Sequence, residues 1–450
     1  MSAREKRRKR AKPSSKPDPP VAPPATGPET PAPAPAPVPD VSTSTTSSTT
    51  SSSTPSTARR VLRVGIDGRP LQVGFDQGGG RGIAVYAREL LRALAARDDL
   101  ALTLWLEPAL PAPYAGLVPP GVNQRRYAST LLPFRDRLSS QLSVPAAAGG
   151  RVHDVFHWLA HAYAPAFPPR NGLVSVHDLI LEQHPELHPA SQTLRYRTAR
   201  ALEIQTLRRA TTLVTDSFET RENLLRRHGI PLARVHVAPL GVHPRFAPAT
   251  STEMIAVRKH HGLAAPFVLY VGGIDARKDL PTLLTAFASV RAQRTEPLLL
   301  VLAGPVQRAP EFPALMRRAE ELGLTDVLRV LDSVPLEHLA MLLTAARVFA
   351  FPSRTEGFGL PPLEAMACGT PVVSSRGGSL GEVLGDAALT VDPGDAEGFT
   401  RELSRALDDE ALRAHLRAQG MARAAAYTWA RTAEGTVAAY RAAAQRGSGA

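Results

Sequence analysis

The sequence predicts an α/β protein built as two doubly wound domains facing each other across a cleft, behind a disordered N-terminal tail. Three observations predict it. The 450 residues, 43% of them apolar, suffice for about two to three domains with sizeable cores. From residue 61 onward, short strand-like runs alternate with helical patterns, which implies a parallel sheet covered on both faces. The alternation relaxes around 243–266, through "HPRFAPATSTEM" and "HGLAAP", and then resumes as a second series.

In the first series "VLRVGID" reads as a strand and "GIAVYARELLRALAARDD", with apolar residues at helical spacing, as a helix. "LALTLWL", "DVFHWL", "GLVSVHDL" and "TTLVTDS" read as further strands, with "LRYRTARALEIQTLRRA" a helix among them. In the second series the predicted strands are "FVLYVGG", "LLLVLAGP", "VLRVLD", "RVFAFPS", "TPVVSS" and "AALTVDP". The helices between them are "LPTLLTAFASVRAQ", "FPALMRRAEELG", "LEHLAMLLTAA", "PPLEAMACG" and "GSLGEVLG". This gives a tail over 1–60, a first domain over 61–245, a second domain over 246–430, and a last helix over 431–450 crossing back to the first. Open parallel sheets bind ligands beyond the C-terminal ends of their strands, so the cleft between two such sheets is the expected site.

The tail is of low complexity. "PAPAPAPVPD" favours polyproline II and "STSTTSSTTSSSTPST" flexible coil, and neither buries enough apolar area to offset its ordering entropy. It carries ten basic residues against four acidic ones, half of the net charge of +12. The body is therefore only mildly basic, and no nucleic-acid partner is expected. The run "REKRRKRAK" is suited to peripheral contact with an anionic membrane surface. A single cysteine, Cys368, excludes an internal disulfide and a cysteine-based zinc site, and reads as a small core residue. No run of 18 or more apolar residues marks a membrane span, and no apolar segment follows the basic start as in a secretory signal. A cytoplasmic protein, at most peripheral at the inner face of the membrane, is expected.

Four stretches carry chemistry. In "VLYVGGIDARKDLPTLLTAF", Gly272 and Gly273 open a loop after a strand, and Arg277 and Lys278 precede a helix. Glycines let backbone approach a ligand, a helix N-terminus favours an anion, and the two cations suit a diphosphate. Alone, this would read equally as a surface loop with solvated cations. In "PSRTEGFGLPPLEAMACGTPVV", Glu356 lies in the loop after a strand, and Pro361 and Pro362 suit a helix start. That puts Glu364 in the first helical turn, where it could accept hydrogen bonds from a ribose diol or merely offset the helix dipole. Third, His177 and Asp178 follow a buried strand, although a histidine there is often structural. Fourth, Gly78, Gly79, Gly80 and Gly82 lie between the first strand and its helix. They do not fit G-x-G-x-x-G, so a loop closing over a ligand is the better reading. The pairs His153–Asp154 and His157–His161 do not make a metal site, and no cofactor or metal is expected.

Taken together, residues from about 62 to 440 resemble the retaining glycosyltransferases of family 4 (glycosyl transferases group 1), which have the GT-B fold of two Rossmann-like domains. "PSRTEGFGLPPLEAMACGTPVVSS" is similar to the family's E-x7-E region, and "YVGGIDARKDLPTLLTAF" to its phosphate loop. "TLVTDSFETRENLLRRHGIPLARVHVAPLGVHPRF" is similar to its interdomain segment. "GGRGIAVYARELLRAL" and "SVHDLI" are similar to acceptor-side motifs of its mannosyl- and rhamnosyltransferase-like branches. The resemblance implies that Arg277 and Lys278 hold the donor diphosphate. It implies that Glu364 binds the ribose, that Glu356 contacts the donor sugar, and that His177 lies near the reaction centre. Gly357, Phe358, Gly359 and Leu360 fall in the donor-binding bend, and Gly79 and Gly80 near the diphosphate and acceptor. The implied partners are a nucleotide-sugar donor and a glycan or lipid-linked acceptor. The chain departs from the family at Asp332, where glycine is common, and at Ser379-Leu380-Gly381-Glu382, where Ser-Leu-Pro-Glu is common.

The expected function is retaining, metal-independent transfer of a mannose- or rhamnose-like sugar in cell-surface polysaccharide or glycolipid synthesis. Alternatives are a nucleotide-sugar epimerase or phosphorylase on the same architecture, a non-catalytic glycan-assembly protein, and a polyanion binder acting through the basic tail.

Overall fold

The computed structural model describes residues 60–72, 81–108, 110–113, 116–127, 152–184, 193–332 and 334–448. The tail and the loop holding Gly78, Gly79 and Gly80 lie outside them. The first sheet has seven parallel strands in the order β3-β2-β1-β4-β5-β6-β7. These are β1 (Leu62–Asp67), β2 (Leu100–Leu106), β3 (Asn123–Arg126), β4 (Val155–Trp158), β5 (Gly172–Val176), β6 (Thr212–Thr215) and β7 (Val235–Val237). The second has six, in the order β10-β9-β8-β11-β12-β13. They are β8 (Phe267–Val271), β9 (Leu299–Ala303), β10 (Leu328–Leu331), β11 (Val348–Phe351), β12 (Val372–Ser375) and β13 (Leu389–Val391), again all parallel. Strands β4, β5, β6, β9, β11 and β12 are buried at every residue, as parallel strands covered on both faces must be.

The helices of the first half are α1 (Arg81–Ala95), α2 (Ile180–Gln183), α3 (Leu194–Arg209) and α4 (Phe218–His228). Ser217 caps α4 by accepting from the Thr220 N–H, and Gly229 ends it in the left-handed region at φ 63°. The second half contributes α5 (Ser251–His260), α6 (Leu280–Ala292), α7 (Phe312–Glu321), α8 (Leu336–Ala345), α9 (Leu360–Ala367), α10 (Leu380–Leu384), α11 (Ala396–Asp408) and α12 (Glu410–Ala425). Thr250 and Glu253 form a reciprocal capping box on α5. Among the described residues no helix is long and apolar enough to cross a membrane.

The last helix, α13 (Trp429–Ser448), packs on α1 and on strands β4 to β7 of the first sheet. Tyr440 on it is fully buried, and its hydroxyl lies 2.9 Å from Nδ1 of His157. Arg446 donates to the carbonyl of Thr211 at 2.6 Å, and Arg441 pairs with Asp99 at 2.8 Å. The chain thus passes between the sheets twice, and the two passages touch: the Val242 N–H donates to the Tyr427 carbonyl at 3.0 Å. A methyl group on Gly241 would lie 2.2 Å from the backbone nitrogen of Trp429. Gly241→Ala is therefore expected to force the passages apart and destabilise the protein by about 1–3 kcal/mol, the usual cost of overpacking. A thermal melt unchanged by that substitution would contradict the close approach.

Of the pairs singled out in the sequence, His153, Asp154 and His157 are tied into the first sheet and its cover. His153 accepts from Trp105 Nε1 at 2.9 Å, and Asp154 pairs with Arg63 at 3.0 Å. His157 spans Tyr440 and Ser175, and burial drives its pKa down to about 3, so it is neutral.

Candidate active site

The site forms at the C-terminal ends of the strands. Beyond β8, Gly272 and Gly273 lead into a single 3-10 turn, Ala276–Lys278. Asp275 caps this turn by accepting from the Arg277 N–H at 3.1 Å. Asp279 then takes φ 49°, the one non-glycine residue at positive φ among those described. Such a conformation persists only where surroundings hold it. Here the buried carboxylate of Asp279 is held by Arg354 Nε at 3.1 Å. The turn is further tied down by the Arg354 N–H, which donates to the Arg277 carbonyl at 2.7 Å.

Beyond β11, Glu356 receives both cations. Arg277 Nη1 lies 2.7 Å from its Oε2, and Lys278 Nζ lies 2.6 Å from its Oε1. Ser353 Oγ donates to the same Oε1 at 2.5 Å. Burial by itself would raise the Glu356 pKa, but Lys278 and Arg277 outweigh it and bring the carboxyl down to about 2. Glu356 is thus a permanent anion holding a cation pair in place. Lys278 is also nearly buried, with its ammonium 5.1 Å from the centre of the Phe351 ring.

Helix α9 begins at Leu360, one residue before the proline pair, with Gly359 as its N-cap at φ 104°. That conformation requires glycine, and a methyl there would also meet Leu380 Cδ2 at 2.6 Å. Glu364 therefore stands at the fifth helical position, past the first turn that the prolines suggested. Its side chain has no hydrogen-bond partner among the described residues, and burial pushes its carboxyl up to about 7. Phe358 is buried edge-on against Tyr427, 5.8 Å between ring centres, so its side chain belongs to the core. Leu360 is half-buried on the same cluster.

The first sheet supplies the facing wall. His177, just past β5, has Nδ1 2.6 Å from Asp216 Oδ2 and Nε2 2.7 Å from the Leu159 carbonyl oxygen. Burial lowers its pKa, but the Asp216 carboxylate more than compensates and raises it to about 9. Both ring nitrogens face acceptors, so the ring is an imidazolium that donates twice and offers no lone pair. Tyr86 packs edge-on against it at 4.6 Å. The expectation of His177 at the reaction centre is thus narrowed to a charged, oriented ring.

The two walls meet. Ser217 Oγ donates to the Gly357 carbonyl at 3.1 Å, and a methyl on Gly357 would lie 2.4 Å from the His177 carbonyl oxygen. Glu382 of α10 reaches across to the start of α4, accepting from the Phe218 and Glu219 N–H groups at 2.9 Å each. A carboxylate at a helix N-terminus is favourable for both partners. Asp332, where glycine is common in the family, accepts from the Gln307 N–H at 3.3 Å.

The sequence reading missed Asp216, Ser353 and the cross-cleft role of Glu382. Asp216 was signalled by its place at the end of "TTLVTDS", directly after a buried strand. Ser353 and Glu382 carry no signal of their own, because their partners are set by how the loops fold.

Two doubly wound sheets facing across a cleft, with a caged cation pair on one wall, define a glycosyltransferase of GT-B architecture. Residues 255–423 match the family Glycosyl transferases group 1, and residues 80–246 match Glycosyltransferase Family 4. The chain belongs to this family. It is 33% identical over 270 residues to the O-antigen chain mannosyltransferase B of Escherichia coli, spanning 60% of this chain and 70% of that one. It is 32% identical over 412 residues to the D-inositol 3-phosphate glycosyltransferase of Salinispora arenicola, spanning 85% and 91%. The sucrose-phosphate synthase of Thermosynechococcus elongatus superposes with a TM-score of 0.65 at 25% identity, over 84% of this chain and 98% of that one. WaaG, a glycosyltransferase involved in lipopolysaccharide biosynthesis, shares the fold with a TM-score of 0.64 at 18% identity, over 84% and 98%.

Proposed function

We propose that the protein transfers a mannose- or rhamnose-like sugar, with retention, from a nucleotide-sugar to a hydroxyl of a glycan or lipid-linked acceptor in cell-surface polysaccharide synthesis. The observation that carries this is the Arg277–Lys278–Glu356 cluster beyond the strands of the second sheet, with the unpartnered carboxyl of Glu364 on the helix that follows the Glu356 loop and the His177 imidazolium on the first-sheet wall. The relation to an O-antigen chain mannosyltransferase supports the sugar and acceptor classes.

In this reading Glu364 accepts the ribose hydroxyls, and Arg277 and Lys278 lie against the diphosphate. The anomeric carbon–oxygen bond to the diphosphate breaks as the bond to the acceptor oxygen forms on the same face. The acceptor proton passes to the departing phosphate oxygen. Charge develops on that phosphate, where two preorganised cations are most effective because they need no reorganisation. Glu356 orients the cations and meets donor-sugar hydroxyls. His177 positions the wall beneath the sugar and is not a base. The walls need no metal ion for this, since the cation pair meets the diphosphate charge.

Glu364 gives the reading a pH signature. Its folded pKa of about 7 lies above the ordinary 4.5, so between those values the folded state holds more protons than the unfolded. Stability without nucleotide should therefore fall as pH rises through that window. Ribose hydroxyls donate to the ionised form, so nucleotide affinity should rise with pH through neutrality, with release of a proton. Calorimetry in buffers of different ionisation enthalpy measures that proton, and Glu364→Gln should abolish it. Affinity independent of pH in the wild type would remove Glu364 from the ribose site.

The reading itself is tested by a thermal-shift screen of GDP-, UDP-, dTDP- and ADP-sugars, followed by NMR of the transfer product. A nucleotide at a hundred times its Kd stabilises by about 2.7 kcal/mol. A product of retained anomeric configuration is expected. No shift with any nucleotide, an inverted product, or isomerisation of the donor alone would each overturn it.

A further inference from the structure

Three histidines that play no part in the cleft converge on the surface of the second half. His260 ends α5, His261 follows it, and His338 lies near the start of α8, 77 positions further along. Their rings form a triangle with centroids 4.7, 4.8 and 5.3 Å apart and interplanar angles of 75–87°. His261 Nε2 and His338 Nδ1 are 3.2 Å apart, and a candidate nitrogen from each of the three lies within 4.8 Å of the others. Among the described residues no carboxylate pairs with any of them, and the neighbouring Glu337 is tied to Arg245 at 2.6 Å. His260 is exposed and the other two half-buried.

We propose that His260, His261 and His338 form a three-imidazole site for a divalent transition metal of the zinc class, which fastens α5 to α8. Three neutral nitrogens with an open side match the preference of zinc, cobalt, nickel and copper for imidazole over the oxygen ligands that magnesium and calcium require. A tetrahedral ion with metal–nitrogen bonds of about 2.0–2.1 Å places its ligand nitrogens about 3.3 Å apart. The His261–His338 spacing already meets that value, and rotation of the exposed His260 closes the rest. Water takes the fourth position on the open side. His261 and His338 share one hydrogen bond and the three rings meet edge to face with no anion among them, and one cation would engage a lone pair from each of the three. The site has a structural consequence: α5 is the first helix after the chain leaves the first sheet, so the ion would anchor that passage to the second half.

The test is titration of the full-length protein with cobalt(II), read by its visible d–d absorption, with zinc as competitor. One equivalent giving the intense bands of low-coordinate cobalt is expected, displaced by zinc, with a rise in melting temperature on zinc addition. His338→Ala and, separately, the exposed His260→Ala should each weaken binding by more than about a hundredfold, beyond the loss typical of an outer-sphere change. Neither residue lines the cleft, so nucleotide binding should survive and report that each variant is folded. Absence of a one-equivalent cobalt spectrum, or a spectrum unchanged in both variants, would overturn the site. Neither result would bear on the transferase reading.

Discussion

Replacing Arg277 and Lys278 together by alanine is expected to lower sugar transfer by about a hundred- to a thousandfold or more, the scale seen when preorganised charge is removed from a transition state. The structure adds a second effect. Both cations discharge onto Glu356, whose side chain is 11% exposed, so the double variant leaves that carboxylate buried with only the Ser353 hydroxyl. Breaking a buried pair from one side costs about 3–5 kcal/mol. Adding Glu356→Gln should return most of that stability without returning transfer. The triple variant therefore separates catalysis from folding, with melting temperature and kcat/KM as the two readouts. Arg277→Lys should also be deleterious, because a single ammonium cannot keep the contacts that Nη1 makes with Glu356 and Nε with Asp275. If the double variant transferred sugar at near wild-type rate, the cation pair would have no part in the chemistry.

Gly357→Ala is expected to have the next largest effect, although it removes no functional group. The added methyl would lie 2.4 Å from the His177 carbonyl oxygen and 2.8 Å from Asp178 Cβ, on the opposite wall. A backbone carbonyl at the end of a buried strand cannot rotate away, so the walls must part. The Ser217–Gly357 hydrogen bond breaks with them. Displacement by an ångström in an active site can cost about a hundredfold in rate. Nucleotide affinity should change little, because Arg277, Lys278 and Glu364 all stand on the second half. A kcat loss with preserved nucleotide binding, together with a larger radius in small-angle scattering, is the expected pattern. Unchanged kcat with unchanged scattering would show that the closed contact is not used.

Much of this was legible in the sequence. The interior strands announced themselves as compact apolar runs between helices, because strands buried on both faces leave no room for polar alternation. Strand β3, "NQRR", did not, since it is an exposed edge held only by its pairing with β2. Strand β7 is three residues long, and its place beside β6 is decided by tertiary contact. Within the site, Glu356, Arg277 and Lys278 were visible as residues, but not as one cluster: the bonds joining them span 78 and 79 positions. Glu364 was placed in the first helical turn, one position early, because the helix starts on a left-handed glycine ahead of the prolines. The imidazole triangle was invisible for the reason the cation cage was: two of its members adjoin and the third comes from a distant helix.

The returning helix α13 also bears on the order in which the chain is finished. The second sheet is contiguous, from Phe267 to Val391, and all its strands have left the ribosome before α13 is made. The first sheet, although synthesised first, keeps a bare face on β4 to β7 until the final 20-residue helix arrives to bury Tyr440. Contacts such as His157 with Tyr440, 283 positions apart, close large loops and form late. Limited proteolysis of ribosome-bound chains should find the second half protected before the first. The half of the protein that is made first is therefore completed last.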